Sequence, residues 1–300
     1  MGEFRHDIHK FRGVAIVLVV VSHAAFAARF DRVGDAVSWI TRGGTWPFLF
    51  VAGFLMAHLA HRYDYLSYLK GKGKNVIVPY VLVVSLILIA GIEQADTEIW
   101  NYYLRGYQAV GPLWFIPLMA LFYLLFPVYS RIPARVSPAL ALFSLAAAIW
   151  MERPDHEGLL FWPFVYFQSA YLCGIAWAAN SEKFDRLAQQ FAIPILALFA
   201  FSTVYKAGEW YSMPLATAVI LPLLKTDSPL DPLWNWLGER SFGIFFLHGL
   251  VTEPLTQYYG GYLKGWAAIL VAITLLAICG LIVDGVRKVA GKHSRLVVGA

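Results

Sequence analysis

Charge is the scarcest commodity in this 300-residue chain: only 14% of its residues are Asp, Glu, Lys or Arg, against 59% hydrophobic. A soluble domain carries about 25% charged residues, so this surface is not built for water. Cysteine is nearly absent, and Cys173 and Cys279 both sit inside apolar stretches. That excludes a disulfide framework and a cysteine-based metal motif, and both read as packing residues. There is no low-complexity tract, internal repeat or sign of a second domain, so residues 1–300 read as one unit. The net charge of +5 is a weak pointer to nucleic acid. In a membrane protein the same excess arises from Lys and Arg held on the cytoplasmic side, which is the reading taken here, with no nucleic-acid partner.

What the chain does have is long apolar runs and a mean hydropathy of +0.59. Runs bounded by charges and turn residues fall near 12–29, 45–61, 75–92, 112–130, 136–151, 160–179, 191–206, 210–225, 240–258 and 264–284. Such segments satisfy their own backbone hydrogen bonds as helices. The expected fold is therefore all-α: a polytopic transmembrane bundle of about ten helices. Prolines such as Pro79, Pro117, Pro214 and Pro254 predict kinks or breaks. Lys and Arg concentrate on the segments that share a side with the N-terminus, which places both termini in the cytoplasm. The end of the first run, Ala25-Phe26-Ala27, imitates a signal-peptidase site. Ser22 and His23 interrupt the run before it, and the segment reads as a retained first helix.

Ionisable groups inside such runs are costly and mark function. Arg12 and His23 lie eleven residues apart on the first run. On a helix they share a face, about 16 Å apart along the axis. Arg12 falls near the cytoplasmic mouth and His23 deep in the span. Alone, the pair is equally compatible with an end-of-helix Arg and a His bonded to a neighbouring carbonyl. Lys70, Lys72 and Lys74 precede Pro79-Tyr80 and form a basic inner loop suited to a polyanion, lipid or nucleotide. Topology alone also explains such loops. Further on, Gly43 to Phe54, including Trp46 and Gly53, opens the second run with glycines and aromatics. Trp114 lies in Gly111-Pro112-Leu113-Trp114-Phe115, and Ser241 and His248 share one segment with Glu253 beyond it. His248 and Glu253 have no sequence-local partner.

Taken in order, these segments resemble acyltransferase family 3, membrane acyltransferases of glycans and related acceptors. Phe11-Arg12-Gly13 through Ser22-His23 is similar to the family's first-helix Arg/His signature. Phe48 to Phe54 resembles its aromatic second helix, Leu113-Trp114-Phe115-Ile116 the start of its fourth, and Ser241 to His248 its Ser-Tyr-Gly-Ile-Tyr-Leu-x-His segment. Three positions depart from the pattern. His9 stands where an acid is usual, Ala52 replaces a Ser, and Lys72 and Asn75 hold the places of two arginines.

The resemblance implies an acyl-CoA donor, most often acetyl-CoA, used from the cytoplasmic side, and a hydroxyl acceptor on a glycan or lipid-linked sugar. It implies a multi-pass protein of the cytoplasmic membrane, in contact with lipid and with no metal. The donor phosphates would meet Arg12, Lys70, Lys72 and Lys74. His23 would serve as general base for the attacking hydroxyl. Trp46, Trp114, Ser241, His248 and Glu253 remain as substrate or oxyanion groups. The competing expectation is a secondary transporter of a small anion or acylated glycan, which would show inverted repeats with paired broken helices; none is found in the sequence. A structural subunit with a decayed site is a third reading. The acceptor, the acyl group and the oligomeric state stay open at this stage.

Overall fold

The computed structural model describes residues 5–26, 28, 32–90, 98–106, 109–151, 153–154, 160–205, 208–259 and 264–294. Helix is the only regular secondary structure among the described residues, without strands. In chain order the helices are α1 (His6–Phe26), α2 (Arg32–Thr41), α3 (Thr45–Leu59), α4 (Tyr65–Lys72) and α5 (Val78–Ile89). Then come α6 (Ile99–Arg105), α7 (Phe115–Leu124), α8 (Phe126–Tyr129), α9 (Ser137–Trp150) and α10 (Phe161–Ala179). The last are α11 (Ser181–Gln190), α12 (Ala192–Val204), α13 (Glu209–Leu223), α14 (Asp231–Tyr259) and α15 (Gly265–Ala290).

Four stretches are long and apolar enough to cross a membrane: His6–Phe26, Arg32–Arg62, Tyr65–Ile89 and Gly265–Ala290. A fifth arises if α11 and α12, bent by 76° at their junction, count as one broken span. Ile89, Trp150, Ile193 and Val289 are each more than 80% exposed. Large apolar side chains displayed outward in this way suit lipid rather than water.

The sequence places the start of the third run near residue 75. The helix instead begins at Tyr65, with Asp64 capping it by accepting from the Ser67 amide at 3.2 Å. The lysines expected on a loop therefore stand on a helix. Pro79 explains how they can. Its ring lacks an N–H and clashes with the carbonyl four residues earlier, that of Asn75. The chain answers with a π-helical turn over Gly73–Ile77, in which the Val78 amide bonds back to the Gly73 carbonyl. One turn is widened and the helix continues instead of breaking. Likewise, α14 begins nine residues before the expected 240, at Asp231.

Two close helix pairs set the frame. Along α1 and α14, a Cβ on Gly13 would collide with the Trp234 carbonyl, and one on Gly238 with the His9 carbonyl. Along α3 and α10, Gly53 meets the Tyr171 carbonyl and Gly174 the Phe50 carbonyl. Small residues let backbones approach where lipid gives no hydrophobic drive to associate. The order of contacts also fixes direction. Lys10 reaches Asp231, Arg12 reaches Ser241 and His23 lies against His248, so α1 and α14 run parallel.

Candidate active site

α1 and α14 supply the polar groups of the interior. On α14, Ser241, Phe245 and His248 stand at i, i+4 and i+7 and therefore share one face. Opposite them on α1 are Arg12 and His23. The Arg12 guanidinium donates to Ser241 Oγ at 3.0 Å, and Ser241 itself donates to the Gly238 carbonyl at 2.9 Å. Further along, the His23 and His248 rings sit 5.3 Å apart, tilted by 51°.

His248 is fully buried. Its Nδ1 lies 2.7 Å from the Phe245 carbonyl and 3.2 Å from that of Ile244. A carbonyl only accepts, so Nδ1 carries the proton and Nε2 is left with a lone pair. That Nε2 is buried with no hydrogen-bond partner among the described residues. The hydrogen bond thus fixes the tautomer and turns His248 into an acceptor beside His23.

A cavity of about 430 Å³ opens between α1, α3, the α4–α5 helix, α7 and α14. Arg12, Lys72, Asn75 and Tyr123 give it polarity, while Phe48, Ala52, Phe115, Met119 and Phe242 give it apolar wall. The π turn brings Lys72 and Asn75 to the same cavity. The Lys72 ammonium lies 5.3 Å from the Tyr68 ring centre and 5.0 Å from that of Tyr123. Such cation–π contact steadies a lysine without cancelling its charge.

The interior is otherwise careful about cations. Lys10 pairs with Asp231 at 2.5 Å, Arg5 with Asp7 at 2.6 Å and Arg153 with Glu209 at 2.7 Å. Arg240 pairs with Asp284, and Lys225 with Asp185. The hydrogen bond to Asp7 raises the pKa of Arg5, which lies ahead of α1. Arg12 and Lys72 have no such carboxylate among the described residues, although they face one cavity. Two such cations in a largely apolar chamber make this cavity the candidate site for an anion.

The expected residues divide accordingly. Arg12 and Lys72 meet at the cavity. Lys70 and Lys74 are exposed and do not line it, so helical phase separates lysines that the sequence groups together. Ser241 touches Arg12, and His23 and His248 meet beyond the cavity wall. Trp114 is buried against Phe167, with ring centres 5.3 Å apart. Trp46 stacks on Phe50 and lines a separate apolar cavity of about 200 Å³ with Cys173, Trp177, Pro214 and Thr217. Glu253 follows His248 by five residues, which turns it roughly 140° around α14, away from the histidines' face.

The cavity that Arg12 lines does not extend to His23. The cavity ends at aromatic side chains, and neither histidine lines it. Tyr68, Tyr123 and Asn75 also line the site, and the sequence does not assign them to donor contact. Only Asn75 had a signal, its place three residues after Lys72. Among the described residues no group of three or more His, Cys, Asp or Glu could hold a metal ion.

A family model described as an acyltransferase domain matches residues 5–284, which takes in every residue of this site. No curated protein and no solved structure matches the chain.

Proposed function

This chain belongs to the acyltransferase family whose model covers residues 5–284 of its 300, and from that premise we propose that it is a membrane O-acyltransferase that takes its acyl group, acetyl above all, from cytoplasmic acyl-CoA. The acceptor is a hydroxyl of a glycan or lipid-linked sugar. The topology that goes with this reading is ten membrane helices in one domain, both termini cytoplasmic, in the cytoplasmic membrane. One observation carries it: Arg12 and Lys72 face a common cavity with no carboxylate counter-charge among the described residues, beneath the half-buried His23 and the buried His248.

In this account the anionic part of CoA engages Arg12 and Lys72, and the pantetheine arm lies along the apolar wall. The thioester then reaches His23. The acceptor hydroxyl attacks the thioester carbonyl and gives its proton to His23. Collapse of the tetrahedral intermediate breaks the C–S bond, and His23 returns the proton to the departing thiolate. The products are the ester and free CoA. His248, its Nδ1 proton committed to backbone, offers its Nε2 lone pair to His23 and so steadies the imidazolium that forms. The pair is suited to hold one extra proton, not two.

The direct test is transfer by the purified protein from labelled acetyl-CoA, with free thiol release as the second readout. The cavity assignment has its own test. Lys72→Gln weakens CoA binding about tenfold, the worth of one charge-assisted hydrogen bond, and flattens its dependence on salt. Lys70→Gln and Lys74→Gln, on the exposed face, shift binding less than about twofold. A titration in which Lys74→Gln costs more than Lys72→Gln contradicts the donor site proposed here.

A further inference from the structure

Three phenylalanine rings stand between the cations and the histidines. Phe48 on α3 and Phe115 on α7 form part of the cavity wall. Phe245 on α14 touches both, with ring centres 6.4 Å from Phe48 and 5.3 Å from Phe115. Phe48 and Phe115 close the triangle at 6.3 Å. On its other side Phe245 lies 5.7 Å from the His248 ring. Its place on α14 has the same meaning, one turn past Ser241, which holds Arg12, and one turn before His248, which meets His23. Phe115 and Phe245 are buried, while Phe48 is half-buried at the cavity.

We propose that Phe48, Phe115 and Phe245 form a partition that separates the donor cavity from the histidine pair and makes the enzyme selective for its acceptor over water. The inference rests on the acyl-transfer reading and adds to it. A thioester beside a proton-accepting imidazole is open to attack by any hydroxyl, and water is the commonest. Hydrolysis needs no other reactant: water adds to the thioester carbonyl, the C–S bond breaks, and a carboxylic acid and CoA thiol leave. A dry aromatic layer keeps solvent in the wide, charged cavity away from His23 and His248. Phe48 is the ring with room to move, because it is half-buried at the cavity while Phe115 and Phe245 are buried. Its displacement, by the acyl arm itself, joins the two compartments only when donor is present.

Two measurements test this. In the purified protein without acceptor and at saturating donor, Phe48→Ala raises acetyl-CoA hydrolysis at least about tenfold. Phe48→Leu, which keeps most of the bulk, stays near the parent rate and guards against a folding artefact. The second readout needs no catalysis. With Cys173 and Cys279 replaced by Ser, a cysteine introduced by His248→Cys reacts slowly with a small charged thiosulfonate. Adding Phe48→Ala speeds that reaction at least about tenfold. Equal labelling rates with and without the ring overturn the partition, whatever the protein's activity. A parent protein that neither transfers nor hydrolyses overturns the acyl-transfer reading instead, and the role in acceptor selectivity falls with it.

Discussion

Replacing His23 with Ala lowers acyl transfer by about 10²–10⁴-fold, the range a positioned general base contributes. The loss falls on kcat, with donor KM near its parent value, because His23 does not line the cavity proposed for the donor's anionic part. The fold should survive. His23 is half-buried near the end of α1, and the close approach of α1 to α14 is made at Gly13 and Gly238, well below it. His248→Gln gives a smaller loss of the same kind, because in the proposed mechanism its Nε2 acts on His23 rather than on substrate. Its backbone contacts, Nδ1 to Phe245 and Ile244, end on carbonyls already within the helix. If His23→Ala transfers at the parent rate while His248→Gln is dead, the two roles are reversed. If both are unaffected, the proton leaves by another route and the histidine pair is structural.

Arg12→Ala produces the second large effect, and its two consequences have opposite signs. Donor affinity falls about tenfold to a hundredfold, the worth of a hydrogen bond to a charged group in a partly dry site. Stability does not fall with it. Ser241 keeps its bond to the Gly238 carbonyl after the guanidinium is gone. No carboxylate among the described residues is stranded, and a desolvated cation without counter-charge has been removed. A structural ion pair behaves the other way: Lys10→Ala leaves Asp231 without its 2.5 Å partner, and the helix junction pays for it in stability. Thermal unfolding measured with and without CoA separates the cases. In Arg12→Ala the midpoint without ligand stays level or rises, and the shift on adding CoA shrinks. A midpoint that drops without ligand, with the CoA shift intact, assigns Arg12 to architecture.

Several parts of this arrangement are legible in the sequence because they depend on one helix at a time. Arg12 and His23 share a face through spacing alone, and Ser241 and His248 do the same. Gly53 reads as a point of close approach, and the structure seats it on the Tyr171 carbonyl. What escapes the sequence depends on phase or on partners far along the chain. Three lysines in five residues look like one patch. A helix beginning at Tyr65 and a π turn at Gly73–Ile77 send Lys72 inward and leave Lys70 and Lys74 outside. Pro79 is the visible cause of the π turn, but the lysines bound the apolar run at 75 and so place the expected helix start ten residues late. The pairing of His23 with His248 joins positions more than two hundred residues apart. It becomes inferable only once α1 and α14 are known to run parallel. Trp46, singled out as an aromatic at a helix start, lines a different cavity with Thr217 and Trp177.

The central claim is that the Arg12–Lys72 cavity receives acyl-CoA. It is tested most directly by a density map of the purified protein with a non-hydrolysable acetyl-CoA analogue. The account predicts phosphate density within hydrogen-bonding reach of Arg12 and Lys72, pantetheine along Ala52 and Met119, and Phe48 turned aside so that the acyl carbonyl approaches His23. Nucleotide density on another face of the bundle, with this cavity unchanged from its ligand-free shape, would contradict it.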